Sequence, residues 1–205
     1  MPNAVALSGL VVLLEDVDID DLVGAVEVLV QEGFGSFSLP AGSPALAEFA
    51  VIYGARARLG IHGLPSAEQL AAAVEAGCTF ALFDAPDETG IAAANAAGMA
   101  AYSQAMTPGE VRETLRLPVA GAMLFPADVV GHLMATRLAT LGLVERVVPR
   151  GGLGAYAAGE WLKAGAPAAC VDAILLTDSL RGGDLQALRE RCSSFIDAQN
   201  KAARP

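Results

Sequence analysis

Ala120-Gly121-Ala122-Met123-Leu124-Phe125-Pro126-Ala127-Asp128 reads as a buried strand that runs straight into a helix through a Pro-Ala-Asp turn. The strand is apolar throughout instead of alternating, as expected of a parallel sheet covered on both faces. Outward from this stretch, the same unit recurs in both directions. Upstream, continuous or short alternating apolar runs fall at Leu10–Leu14, Phe34–Leu39, Ala57–His62, Cys78–Phe83 and Met99–Ser103. Downstream they fall at Leu143–Val148 and Ala168–Leu176, with the quoted strand spanning Pro118–Phe125.

Helix signals fill the gaps. Asp18–Asp21 starts an amphipathic stretch to Val30, a second helix follows over Pro44–Tyr53, and Ser66 with Gln69 has the spacing of a capping box. Thr107-Pro108-Gly109-Glu110 opens another, and later helices are expected over Asp128–Leu141, Gly154–Lys163 and Asp184–Asn200. Several helices stop on glycine (Gly33, Gly77, Gly98, Gly165) with a strand close behind. Eight strand-then-helix units at a period of roughly 25 residues predict an α/β fold, a single (β/α)8 TIM barrel over residues 1–205, with residues 1–9 as an N-terminal lead-in. A doubly wound sheet is the alternative, but no Gly-x-Gly-x-x-Gly follows the first strand as a dinucleotide site would need.

Composition limits the functions. More than half of the 205 residues are apolar, enough for one substantial core, and a net charge of −10 disfavours nucleic acid and anionic membranes as partners. Apolar runs are broken well short of the ~20 residues that span a bilayer. The start of the chain has no basic flank ahead of an apolar stretch, so a cytoplasmic protein without a signal peptide is expected. Cys78, Cys170 and Cys192 are odd in number and widely spaced, and read as small buried hydrophobes rather than a disulfide or zinc framework.

In a (β/α)8 barrel the chemistry sits at the C-terminal ends of the strands. Those ends carry Glu15 and Asp16, Ser38, His62, Asp84, Ser103 and Gln104, Phe125 and Asp128, Arg150-Gly151-Gly152, and Asp172. Arg150, Gly151 and Gly152 could present a guanidinium and backbone N–H groups to a phosphate or carboxylate, although a double glycine also serves plain turn geometry. Phe125 and Asp172 complete the expected ligand-binding set. His62 is the more reactive of the two histidines, since His132 falls inside a helix. Glu15, Asp84 and Asp172 could meet His62 at a divalent metal, but loop carboxylates are mostly solvated or caps, so neither a metal nor a cofactor is expected.

The order of units, Leu124-Phe125-Pro126-Ala127, Gly151-Gly152, and the segment from Ser66-Ala67-Glu68-Gln69-Leu70 to Glu75-Ala76-Gly77-Cys78-Thr79-Phe80-Ala81 together resemble the 2-keto-3-deoxy-6-phosphogluconate (KDPG) and 4-hydroxy-2-oxoglutarate (KHG) aldolases, from about Leu10 onward. The resemblance implies a class I aldolase barrel, usually a homotrimer, that makes or breaks a bond next to pyruvate through a lysine Schiff base. The family's functional residues do not carry over. Its Lys-x-Phe-Pro-Ala lysine falls on Met123, its acid/base glutamate on Ser38, its substrate-binding arginine on Gly42 and its third-strand threonine on Gly63. Its eighth-strand Gly-Gly-Ser phosphate loop is replaced by Val171-Asp172-Ala173, and the chain's lysines, Lys163 and Lys201, fall on an outer helix and the tail.

A thioether forms no imine, and Schiff-base catalysis needs both an amine and a base. The expectation is a KDPG/KHG aldolase-like barrel without class I activity, holding a small 2-keto acid or other anion at its mouth, with Met123 as a packing residue. Two alternatives stand beside it. One is a lyase or aldolase working without lysine, by His62, Glu15 and Arg150 or with metal assistance. The other is an oligomeric interaction protein with a silent pocket.

Overall fold

The computed structural model describes residues 5–203. Of the lead-in expected over residues 1–9, residues 1–4 lie outside the described residues. The chain then forms β1 (Gly9–Leu13), α1 (Ile19–Gln31), β2 (Ser36–Pro40), α2 (Leu46–Tyr53), β3 (Arg58–Gly63) and α3 (Ala67–Glu75). It continues through β4 (Phe80–Phe83), α4 (Glu88–Ala96), β5 (Ala100–Ala105), α5 (Pro108–Thr114), β6 (Gly121–Leu124), α6 (Ala127–Val130) and α7 (Leu133–Thr140). The last elements are β7 (Val147–Pro149), α8 (Ala155–Lys163), β8 (Ala168–Val171), α9 (Ala173–Leu176) and α10 (Leu185–Ala202).

All eight strands are parallel, each hydrogen-bonded to its sequence neighbour from β1 to β7, with β8 paired to β1. β7 and β8 stand side by side, so the sheet is a nearly closed (β/α)8 barrel. The alternation of side chains along each strand explains why the strands are apolar on both faces. On β1, Leu10 and Val12 point out against the helices. Val11 and Leu13 point in, joining Phe80, Leu82, Ala100, Tyr102, Met123, Val148, Ala168 and Cys170 in a separate interior core.

That interior is filled by pairing large with small. The Phe80 ring lies over Gly60, its register partner, and the Tyr102 ring lies against Gly121. Leu7 plugs the lower end, its backbone N–H donating to the Tyr102 hydroxyl at 2.8 Å. The expected capping box of Ser66 with Gln69 forms, and Thr107 makes a second one with Glu110 at the start of α5.

Three expected elements differ. The helix over Asp128–Leu141 is two, because Gly131 at φ 74 breaks it and His132 restarts it. The strand over Leu143–Val148 begins as a 3-10 turn and pairs only from Val147. The run Ala168–Leu176 leaves the sheet after Val171: the Asp172 carbonyl accepts from the Leu175 and Leu176 amides, and Leu175 and Leu176 are buried by a helical turn. A short apolar run does not distinguish a strand from a buried helix. Among the described residues no helix is long and apolar enough to cross a membrane. The three cysteines are buried and free, with burial pushing the Cys78 and Cys170 thiols up to about 12 and that of Cys192 to about 11.

A methyl group at Gly60 would sit 2.4 Å from the Phe80 ring, which is fully buried in the interior core. Gly60→Ala is therefore expected to lower the unfolding free energy by about 1–3 kcal/mol, measured by urea denaturation. An unchanged midpoint would contradict this packing.

Candidate functional site

The parallel strands deliver their C-terminal ends to one mouth. There a cavity of about 400 Å³ is walled by Glu15 and Asp16 after β1, Pro40 and His62 at the ends of β2 and β3, and Phe125, Arg150 and Asp172 just past β6, β7 and β8. Glu15, His62, Phe125, Arg150 and Asp172, expected from sequence to share a site, all face this space. Asp172 reaches it from the turn after β8, not from within a longer strand.

Arg150 organises the mouth. Its backbone continues the β6–β7 ladder beyond the strands: its N–H donates to the Leu124 carbonyl at 2.9 Å, and its carbonyl accepts from the Ala127 amide at 2.8 Å. From there the side chain, only 14% exposed, crosses the top of the barrel to an ion pair with Asp84 after β4. On the way its guanidinium lies 5.5 Å from the centre of the Phe125 ring, and Nη1 approaches the Met123 sulfur at 3.8 Å. Met123 is fully buried beneath it. A desolvated guanidinium needs a partner, and Asp84 supplies it.

His62 and Ser38 form a second polar pair inside the rim. Ser38 is fully buried, and its Oγ shares a 3.0 Å hydrogen bond with His62 Nδ1. Burial, reinforced by the nearby Arg150 charge and only partly offset by Asp84, lowers the imidazole to about 4. His62 is therefore neutral at neutral pH: one nitrogen is held by Ser38, and the other is available to a ligand at the mouth.

The remaining carboxylates do not gather around His62. Glu15 pairs with Arg181, and Asp84 is turned to Arg150. Among the described residues no group of three or more His, Cys, Asp or Glu side chains is arranged to hold a metal ion. Gly151 and Gly152 adopt φ values of 96° and 65°. Gly151 packs under the Phe125 ring, and a Cβ on Gly152 would lie 2.4 Å from the Asp128 carboxylate. The Asp128 amide donates to the Gly151 carbonyl at 3.1 Å, so this turn is fitted to the Phe125–Asp128 segment and has a carboxylate at its edge. His132 is away from the mouth, stacked edge-on against Tyr156 at 5.3 Å.

Sequence reasoning found Arg150 and Asp84 separately but not their pairing, nor the bond between Ser38 and His62. The residues of each pair are far apart in sequence, with no motif joining them; only the shared position at strand ends could have suggested that they meet.

A family model for KDPG and KHG aldolases matches residues 4–191. Among solved structures, the chain is similar to a native KDPGal structure at 21% identity, over 94% of this chain and 95% of that one, with a TM-score of 0.81. It is similar to a 4-hydroxy-2-oxoglutarate/2-dehydro-3-deoxyphosphogluconate aldolase at 25% identity, over 93% and 94% of the two chains, with a TM-score of 0.78. It is also similar to the KDPG aldolase of Legionella pneumophila with pyruvate captured as a covalent carbinolamine, at 16% identity, over 93% and 95%, with a TM-score of 0.77. No curated protein matches the sequence at a significant level.

The buried imidazole makes stability depend on pH with a definite sign. Below the ordinary value of 6.5 the unfolded chain takes up a proton that the folded chain refuses until about 4. His62 thus costs no stability above 6.5, a growing amount as pH falls towards 4, and no more below that. Urea unfolding at about pH 7.5 and about pH 4.5 should show a larger acid loss for the native chain than for His62→Gln. Equal losses would contradict a neutral His62.

Proposed function

This chain belongs to the KDPG and KHG aldolase family, and on that premise we propose that it is a member without Schiff-base activity, which holds a small 2-keto acid or related anion non-covalently at the barrel mouth. The observation that carries the reading is Met123, fully buried and roofed by the Arg150 guanidinium, at the position where the family resemblance puts the reactive lysine. The chain's own lysines are remote from the mouth, Lys163 at the end of α8 and Lys201 in α10.

The roles follow from the geometry. A guanidinium offers a planar fork that fits a carboxylate with two parallel hydrogen bonds. Arg150 would bind the acid end of the ligand, exchanging Asp84 for it, and Asp84, 37% exposed, would return to water. His62, neutral and fixed by Ser38, would meet the keto oxygen or a neighbouring hydroxyl. Neither group supplies an amine nucleophile, so the bound acid stays intact. The family also supports a cytoplasmic homo-oligomer, a trimer by resemblance.

Because Asp84 competes with the ligand for the same fork, the two partners have opposite effects. Arg150→Met should weaken pyruvate binding by about 10- to 100-fold, the value of a charge-assisted hydrogen bond, and abolish any ligand-dependent rise in melting temperature. Asp84→Asn should strengthen binding several-fold. Calorimetric titration of the three proteins with pyruvate checks both. Failure of the native chain to bind pyruvate or any other 2-keto acid would remove the reading.

A further inference from the structure

Beyond the Arg150–Asp84 pair lies a second and larger cavity, of about 710 Å³, over the ends of β4, β5 and β6 and against α5. Phe125 lines both cavities. Asp84 lines the second, and its partner Arg150 lines the first. The ion pair and the ring are therefore a common wall, one side of which is the proposed carboxylate site.

The second cavity has a consistent chemistry. Pro86, Met106, Leu117, Phe125 and Pro126 give it apolar walls, and Gln104, the register partner of Met123, lies at its inner edge. Its polar rim is acidic: Asp84, Glu88, Glu110 and Glu113, with no basic side chain among the described residues that line it. Two of these acids are already committed, Glu110 to the Met106 and Thr107 amides and Glu113 to Arg116. Such a space accepts an apolar body and repels a phosphate or carboxylate.

The rest of the mouth also offers carboxylates that repel an anionic tail. Asp172 lines the smaller cavity, and the Asp128 carboxylate stands against Gly152 in the turn after β7. The Arg150 guanidinium lies 5.5 Å from the centre of the Phe125 ring, so a 2-keto acid that takes the fork from Asp84 would carry its chain past Phe125, the residue shared with the larger cavity.

We propose that the larger cavity receives the tail of the 2-keto acid held by Arg150, and that this tail is uncharged and apolar, an aryl or branched alkyl group, in place of a phosphate-ended polyol. This rests on the reading of the mouth as a 2-keto acid site and assigns its substrate class. Each methylene buried in the cavity adds about fourfold to affinity, so size and apolarity should register directly in binding.

Calorimetric titration of the full chain with pyruvate, 4-methyl-2-oxopentanoate, phenylpyruvate, 2-oxoglutarate and 2-keto-3-deoxy-6-phosphogluconate tests the proposal. Affinity should rise from pyruvate through the branched acid to phenylpyruvate, by at least about tenfold overall, and the two acids with a second anionic group should bind more weakly than pyruvate. Met106 is partly exposed on the cavity wall, so Met106→Glu should leave the fold intact, confirmed by circular dichroism, and shrink the advantage of phenylpyruvate over pyruvate. Pyruvate binding with no gain for the apolar acids, or tightest binding of the phosphorylated acid, would overturn this inference while leaving the mouth as a keto-acid site. Binding of none of the five would overturn both.

Discussion

A guanidinium held out of water at the top of an eight-stranded barrel must have a counter-charge, and the Arg150–Asp84 pair meets that requirement from the far side of the mouth. Much of the site depends on it. Arg150 roofs Met123 and adds to the burial that keeps His62 neutral, against the smaller pull of Asp84, and the pair divides the mouth into two cavities. Stripped of Asp84, Arg150 would carry an unpaired, mostly buried charge, a state costly enough that an incoming carboxylate is the natural replacement. In our reading the same contact that neutralises Arg150 selects the chemistry of what can enter the mouth.

On the proposed function, the neighbours of the pair separate ancestry from reaction. The chain belongs to the aldolase family, and its Leu124-Phe125-Pro126-Ala127 turn resembles that family's. In our reading the change lies in a few side chains: a sulfur where an amine would attack, and a hydroxyl bonded to a neutral imidazole where a carboxylate would move a proton. A fold tolerates this because its core energetics do not depend on the site grafted on it. Met123 is as well buried as Val148 and Cys170 around it and fills volume as an unbranched apolar residue does.

Most of the scaffold was legible in the sequence for local reasons. Doubly covered strands leave apolar runs, glycines at positive φ such as Gly77 and Gly98 mark helix ends, and the Ser66–Gln69 and Thr107–Glu110 spacings mark helix starts. The misplaced boundaries fall where local signals conflict. Ile174-Leu175-Leu176 is as apolar as a strand, yet it turns away once the Asp172 carbonyl captures two following amides. The site was legible as an inventory of strand ends and not as contacts. Arg150 and Asp84 are 66 residues apart and follow strands, β7 and β4, that are not neighbours in the sheet. No periodicity encodes such a pair, and the cavity beside it arises only from the arrangement of three loops and a helix.

The central claim is that a 2-keto acid binds at the mouth without forming a covalent bond. Carbon-13 NMR of the full chain with pyruvate labelled at its keto carbon tests this most directly. The bound carbon should keep a ketone resonance, shifted by the site and returning to its free position in Arg150→Met. A bound carbon with the resonance of an imine or carbinolamine would contradict it.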